Sequence, residues 1–217
     1  MKKQILTVPI EISARHIHLS QHDLEILFDE GYILTPIKNL SQKGQFAAKE
    51  VVEVQTDKTW GLPPHFDFTF GASCDHNQIR VLGPVREYTQ VELSWTDCFM
   101  LNIKPHVAVS GDYGSSSGEI IIVGQKGEVR LQKGIIVPQR HIHCSTKKAA
   151  KLGLTQGQYV SVKTLGDKHK NSQPRSLTFH NVIIRIHPDF DWHMHLDTDE
   201  GNAAGLDGMG VGEVIIS

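Results

Sequence analysis

The chain has 217 residues, 21% of them charged, and a formal net charge of −2, without the basic excess typical of nucleic-acid binders. Hydrophobic residues make up 39%, yet no apolar run approaches the roughly 18 residues of a membrane span. Three cysteines without a CxxC spacing exclude a disulfide framework and a cysteine-type zinc ribbon, so a cytoplasmic globular protein in a reducing compartment is expected.

Met1-Lys2-Lys3-Gln4 leads straight into an apolar strand, Val8–Ser13, with no secretory apolar region before it. Arg15-His16-Ile17-His18 follows. Alternate residues of a strand project to one face, so His16 and His18 aim two imidazoles at one point, half of a zinc site. Ser20 and Asp23 then read as a helix cap, Leu24, Leu27 and Phe28 as the apolar helix face, and Gly31 as its end. Glu50–Val54 is a strand, Trp60–Asn77 reads as an insertion between strands, and Ile79–Leu82 is the next strand. A Gly83-Pro84 turn sets Arg86 at the strand end, where a guanidinium can clamp an oxyanion. In Gln90–Ser94, Gln90, Glu92 and Ser94 share one face and Val91 and Leu93 the core face. Glu92 is the best candidate for the carboxylate that a bound dication favours over a histidine-only set, against the plainer reading of a solvated face. A short helix runs from Thr96 towards Asn102, before Val107-Ala108-Val109. Ser110 with the Gly111–Gly118 cluster is either a connection or a loop whose amides and hydroxyls receive phosphate. Glu119–Val123 and Glu128–Leu131 are strands.

The second part repeats the first. Ile135–Gln139 precedes Arg140-His141-Ile142-His143, Ser145 opens a helix over Thr146–Leu152, Gly153 stops it, and Tyr159–Thr164 and Leu177–Ile186 are strands. A third alternating pair, His193-Met194-His195, leads through Asp197 and Glu200 into an alanine-rich helix and the final strand, within Gly201–Ile216. Arg15 and Arg140 point to the strand face opposite the histidines, where each can pair with a carboxylate. Short strands between polar turns predict a mainly β chain of two similar small β-barrel domains with short helices, built by internal duplication. The expected domains are 1–125 and 126–217.

Several longer motifs carry a family resemblance. They are Ser13–Ser20, Leu34-Thr35-Pro36, Leu40–Ala48, Arg80–Pro84 through Arg86, Thr89–Glu92, Ser110-Gly111-Asp112, Arg140–His143 and Met194–Leu206. Together they resemble the PduL-type phosphate propanoyltransferase (phosphotransacylase) family. The resemblance implies two β-barrel domains with a two-zinc site between them, and reversible acyl transfer between coenzyme A and inorganic phosphate. It also implies that His16, His18, Glu92, His141, His143 and His195 ligate two Zn²⁺ per chain, that Arg86 is catalytic, and that Ser110 touches phosphate. Cys144, His193 and the length of Trp60–Asn77 depart from the family pattern. Members that enter bacterial microcompartments carry an amphipathic N-terminal helix, for which seven residues before Val8 are too few. The expectation is therefore a protein free in the cytosol, with homo-oligomer formation left open. Propanoyl and acetyl differ by one methylene, worth only about 1–3 kcal/mol in a pocket, so the sequence does not choose between them. The alternatives are a zinc-dependent hydrolase of thioesters or amides and a non-catalytic metal-binding barrel.

Overall fold

Alternation of apolar and polar residues drives much of this chain into short strands, and among the described residues four polar N-caps interrupt them with helices of six or seven residues. The computed structural model describes residues 5–56, 78–114, 118–165 and 175–216. The expected insertion at 60–77, Cys74 and residues 115–117 lie outside them. In chain order the elements are β1 (Thr7–Ser13), β2 (His16–Ser20), α1 (Gln21–Leu27), β3 (Pro36–Asn39), β4 (Phe46–Gln55), β5 (Gln78–Arg86) and β6 (Gln90–Glu92). Then come α2 (Trp95–Met100), β7 (His106–Ala108), β8 (Ile120–Val123), β9 (Glu128–Leu131), β10 (Ile135–Pro138), β11 (His141–Cys144) and α3 (Thr146–Leu152). The last are β12 (Tyr159–Thr164), β13 (Thr178–Ile186), β14 (His193–Asp197), α4 (Thr198–Ala203) and β15 (Met209–Ile215).

Two compact units result. One, here the C-terminal unit, combines described residues of 1–14, 41–43 and 138–217; the other, the central unit, combines 15–40 and 44–137. In the C-terminal unit a closed barrel runs β1-β14-β11-β13-β12-β15. The central unit holds a nine-stranded sheet in which β10-β6-β2-β5-β4-β8 follow one another. Those six strands match the barrel strand for strand in the sense of each pairing: parallel, antiparallel, parallel, antiparallel, antiparallel. The match is what a duplicated ancestor leaves behind.

A single cut near residue 125 does not describe these units. The strand that leads into each histidine pair is built into the unit of the other half: β1 between β14 and β15, and β10 beside β6. Burial explains the exchange. Val8 and Ile10 sit in the core with Ile142, Met194 and Leu196, whereas Ile135 and Val137 sit with Ile17, Val91 and Leu93. Burying one such side chain contributes about 1.5–3 kcal/mol, so each leading strand is held by several apolar anchors.

The short helices depend on their caps, because helices of this length are marginal alone. Ser20 Oγ accepts from the Asp23 amide at 3.1 Å and Ser145 Oγ from Lys148 at 3.3 Å. Gly153 ends α3 in the left-handed conformation, φ 68°, as its sequence position predicts. By contrast α1 stops at Leu27 rather than running to Gly31. The Leu27 carbonyl is taken by the Lys126 amide at 2.9 Å, and Phe28 turns to stack on Tyr32, ring centroids 4.9 Å apart.

Because β1 closes the C-terminal barrel, residues 126–217 expressed alone would leave β14 and β15 with open edges. Their thermal melt by circular dichroism should show no cooperative transition, and fusing residues 5–14 to the fragment should restore one. A cooperative melt of 126–217 by itself would contradict this role of β1.

Candidate metal centre

In the central unit, β2 and β6 run antiparallel with His16 opposite Glu92 and His18 opposite Gln90. Ile17, Leu19, Val91 and Leu93 fill the core from the alternate positions, which leaves the polar residues together on the other face. His16, His18 and Glu92 thereby offer one ligand atom each within 4.8 Å of one another, and all three are buried. His16 Nε2 lies 3.5 Å from Glu92 Oε2. Burial opposes ionisation of Glu92, but the neighbouring His16 imidazole, first by its charge and then by its hydrogen bond, with a further hydrogen bond from Ser110, holds its carboxyl well below the usual carboxylate range. His18 is pushed well below the usual imidazole value by burial first, then by His16 and Arg86, and so is the neutral, ligating form.

Two atoms test whether this set suits a cation. His18 Nδ1 and Glu92 Oε1 are buried with no hydrogen-bond partner among the described residues. Leaving such atoms unpaired costs about 1–3 kcal/mol each, and a dication between them removes that cost. Two imidazoles and a carboxylate are a donor set that fits zinc.

Arg86, at the end of β5, is half-buried, and its Nη1 donates to Ser110 Oγ and to Gln90 Oε1, both at 3.3 Å. Ser110 in turn hydrogen-bonds Glu92. A guanidinium and a hydroxyl are thus tied to the triad, an arrangement suited to holding an anion beside a cation.

In the C-terminal unit the same construction recurs. β11 faces β14 with His141 opposite His195 and His143 opposite His193. His141, His143 and His195 offer ligand atoms within 4.8 Å of one another. His141 Nδ1 lies 2.8 Å from the Gln139 carbonyl, which can only accept. Nδ1 therefore carries the proton, and Nε2 presents its lone pair. Burial, then His141 and His195, push His143 far below the usual imidazole range, again to the neutral form. The place that Glu92 takes in one unit belongs to His195 in the other. A carboxylate stands nearby all the same: Glu11, across from His195 in the β1–β14 ladder, has Oε2 at 3.9 Å from His195 Nδ1 and Oε1 at 3.8 Å from His193 Nε2. Ser41 Oγ donates to Glu11 at 2.6 Å, and Gln42 Nε2 lies 3.3 Å from His143 Nδ1.

The arginine before each histidine pair does find a carboxylate. Arg15 Nη1 meets Asp97 at 2.7 Å, and Arg140 Nε meets Glu200 at 2.7 Å. Asp97 and Glu200 occupy the same place in their units, the third residue of helices capped by Ser94 and Asp197, two positions beyond Glu92 and His195. Each bridge ties the strand bearing the first two ligands to the helix that follows the third. Burial pushes the Glu200 carboxyl up to about 7, and the Arg140 guanidinium opposes that rise. Cys144 and His193 stay outside the triads. Cys144 packs in the core at 0% exposure, on the face away from His141 and His143.

Sequence reasoning gave no role to Glu11, Ser41, Gln42 or Gln90. Ser41, Gln42 and Gln90 lie within the motifs at Leu40–Ala48 and Thr89–Glu92, and Glu11 stands out as the one acid in the leading strand.

The phosphate propanoyltransferase family model matches residues 9–62 and 68–207. A phosphate propanoyltransferase of Thermotoga maritima is 44% identical over 197 residues, 91% of this chain and 83% of the relative. Enzymes of the same name from Leptotrichia buccalis and Clostridioides difficile are 40% and 39% identical, covering 92% and 96% of this chain and 83% and 88% of their own lengths. On the family model and these relatives, this chain belongs to the phosphate propanoyltransferase family of acyltransferases.

Proposed function

We propose that the protein is a phosphotransacylase that moves a short acyl group, propanoyl or acetyl, reversibly between coenzyme A and inorganic phosphate. One zinc ion would be held by His16, His18 and Glu92, and a second by His141, His143 and His195. The observation that carries this reading is the hydrogen-bonded run Arg86–Ser110–Glu92, which joins an anion-binding group to a buried ligand triad. The names of the relatives support it.

In the forward direction a phosphate oxygen attacks the thioester carbonyl carbon, the carbon–sulfur bond breaks with its electron pair left on sulfur, and acyl phosphate and coenzyme A thiolate result. Zinc, when bound, supplies Lewis acidity to the carbonyl and a soft partner for the thiolate. Arg86 provides a planar fork that grips two phosphate oxygens and offsets charge that develops on them. Ser110 Oγ adds a donor beside it. Holding phosphate against the bound thioester turns a bimolecular encounter into a near-attack arrangement, worth up to about 10 kcal/mol. No nucleophilic side chain is required. Burial pushes the Cys144 thiol up, and its Sγ donates to the Ser145 carbonyl at 3.5 Å, so the cysteine stays a neutral core residue.

The assay for this reading follows free thiol released from propanoyl-CoA or acetyl-CoA. Release should depend on inorganic phosphate and yield acyl phosphate. Release at the same rate without phosphate would make the protein a hydrolase, and none in either condition would make it a binder.

The purified protein should carry about two zinc ions per chain, with activity lost on chelation. Glu92→Ala should remove about one equivalent and His141→Ala about one, whereas His180→Ala should keep both. Full zinc content in the Glu92 and His141 variants would remove those residues from the ligand sets.

Transfer inside a ternary complex gives intersecting double-reciprocal lines, whereas a covalent acyl-enzyme gives parallel ones. Intersecting lines, no acyl-enzyme by mass spectrometry and near-normal turnover of Cys144→Ser are expected. Parallel lines with an inactive Cys144→Ser would overturn direct transfer.

A further inference from the structure

Gln90 is wholly buried, at 0% exposure, and lies on the ligand face of β6 opposite His18. Its carboxamide makes three hydrogen bonds. Oε1 accepts from the Gly111 amide at 2.8 Å and from Arg86 Nη1 at 3.3 Å, while Nε2 donates to the Asp112 carbonyl at 3.0 Å. The orientation of the amide is not arbitrary, because a backbone N–H can only donate and a carbonyl can only accept. A single side chain therefore spans Arg86 and two consecutive residues, Gly111 and Asp112, of the loop that carries Ser110. Arg86 closes the circuit through its own bond to Ser110 Oγ at 3.3 Å.

The duplicated fold supplies an internal control. His193 faces His143 in β14 as Gln90 faces His18 in β6, so this position of the fold accommodates an imidazole as well as an amide. A requirement of the strand pair alone does not select glutamine. What distinguishes the central unit is the arginine and the loop that the amide holds. Gly111, whose N–H donates to Gln90, has a φ of 97°, a conformation that a residue with a side chain would rarely adopt.

We infer that Gln90 is a positioning residue for phosphate: it sets Arg86 and the Ser110 hydroxyl at the spacing that one phosphate spans. The inference rests on the reading above that Arg86 and Ser110 receive phosphate. Leucine at this position keeps the buried volume but removes every bond to the loop and to Arg86. Glutamate still accepts from Arg86 and Gly111, but it cannot donate to Asp112, and its charge offsets that of Arg86.

The test measures KM for phosphate and for acyl-CoA separately in the zinc-loaded full chain, together with zinc content and thermal midpoint, for Gln90→Leu, Gln90→Glu and Arg86→Lys. Gln90→Leu should raise the phosphate KM about tenfold or more, keep the acyl-CoA KM within about twofold, and retain both zinc ions. If Gln90→Leu does not fold, Gln90→Glu gives the same readout, since phosphate KM should again rise alone. A phosphate KM within about twofold of the parent overturns the inference, as does an equal rise in both KM values accompanied by loss of zinc. Arg86→Lys separates this failure from that of the underlying reading. Loss of about a hundredfold in turnover there, with unaffected Gln90 variants, rejects Gln90 alone. Unchanged kinetics in Arg86→Lys rejects the phosphate role of Arg86 and takes the Gln90 inference with it.

Discussion

Each triad rests on the pairing of two neighbouring antiparallel strands in one register. With His16 across from Glu92 and His141 across from His195, the third residue of each triad lies beside the first by virtue of the ladder itself. A slip of one residue would turn every triad side chain into the core and every core residue outward. Ile17, Val91, Ile142 and Met194, all 0% exposed, guard against that slip, because their burial favours the one register that keeps them inside. The apolar face thus specifies where the polar face points.

A second layer of constraint works through helix termini. Asp97 and Glu200 each do two things at once: they complete the cap of a short helix and accept an arginine from the strand that bears the histidine pair. Such bridges are half-exposed on the arginine side and worth little as stability alone. Their value is geometric, since each joins the two strands of a ligand set at a point just beyond the ligands. Finding the same bridge in both halves argues that it accompanied the site through the duplication.

Local features were legible in the sequence where the deciding chemistry was also local. The cap at Ser145 and the stop at Gly153 delimit α3, and β9 and β12 run over Glu128–Leu131 and Tyr159–Thr164 as their patterns predict. The histidine pairs declared themselves because two imidazoles at alternate positions have few other uses in duplicate. β4 extends to Phe46, well before the expected Glu50, because Ala48, Glu50, Val52 and Val54 are its buried side and a charged residue on that side hides the alternation. Gln90 read as one more polar residue on a strand face, because what makes it special is a loop twenty residues away. The exchange of β1 and β10 left no local trace at all, since both possible partners are equally apolar.

That exchange bears on how the chain is made. Trp192 Nε1 donates to the carbonyl of Thr7 across 185 positions, and Ile10 pairs with Met194. Such distant parallel pairing is slow, because the entropy of closing a long loop must be spent before the contacts form. During synthesis β1 emerges long before β14, its parallel partner, and so is among the last strands of its barrel to find its place. Until then it is an apolar edge exposed in the cell, and the strand that completes the C-terminal barrel is also the point at which a nascent chain is open to misassociation.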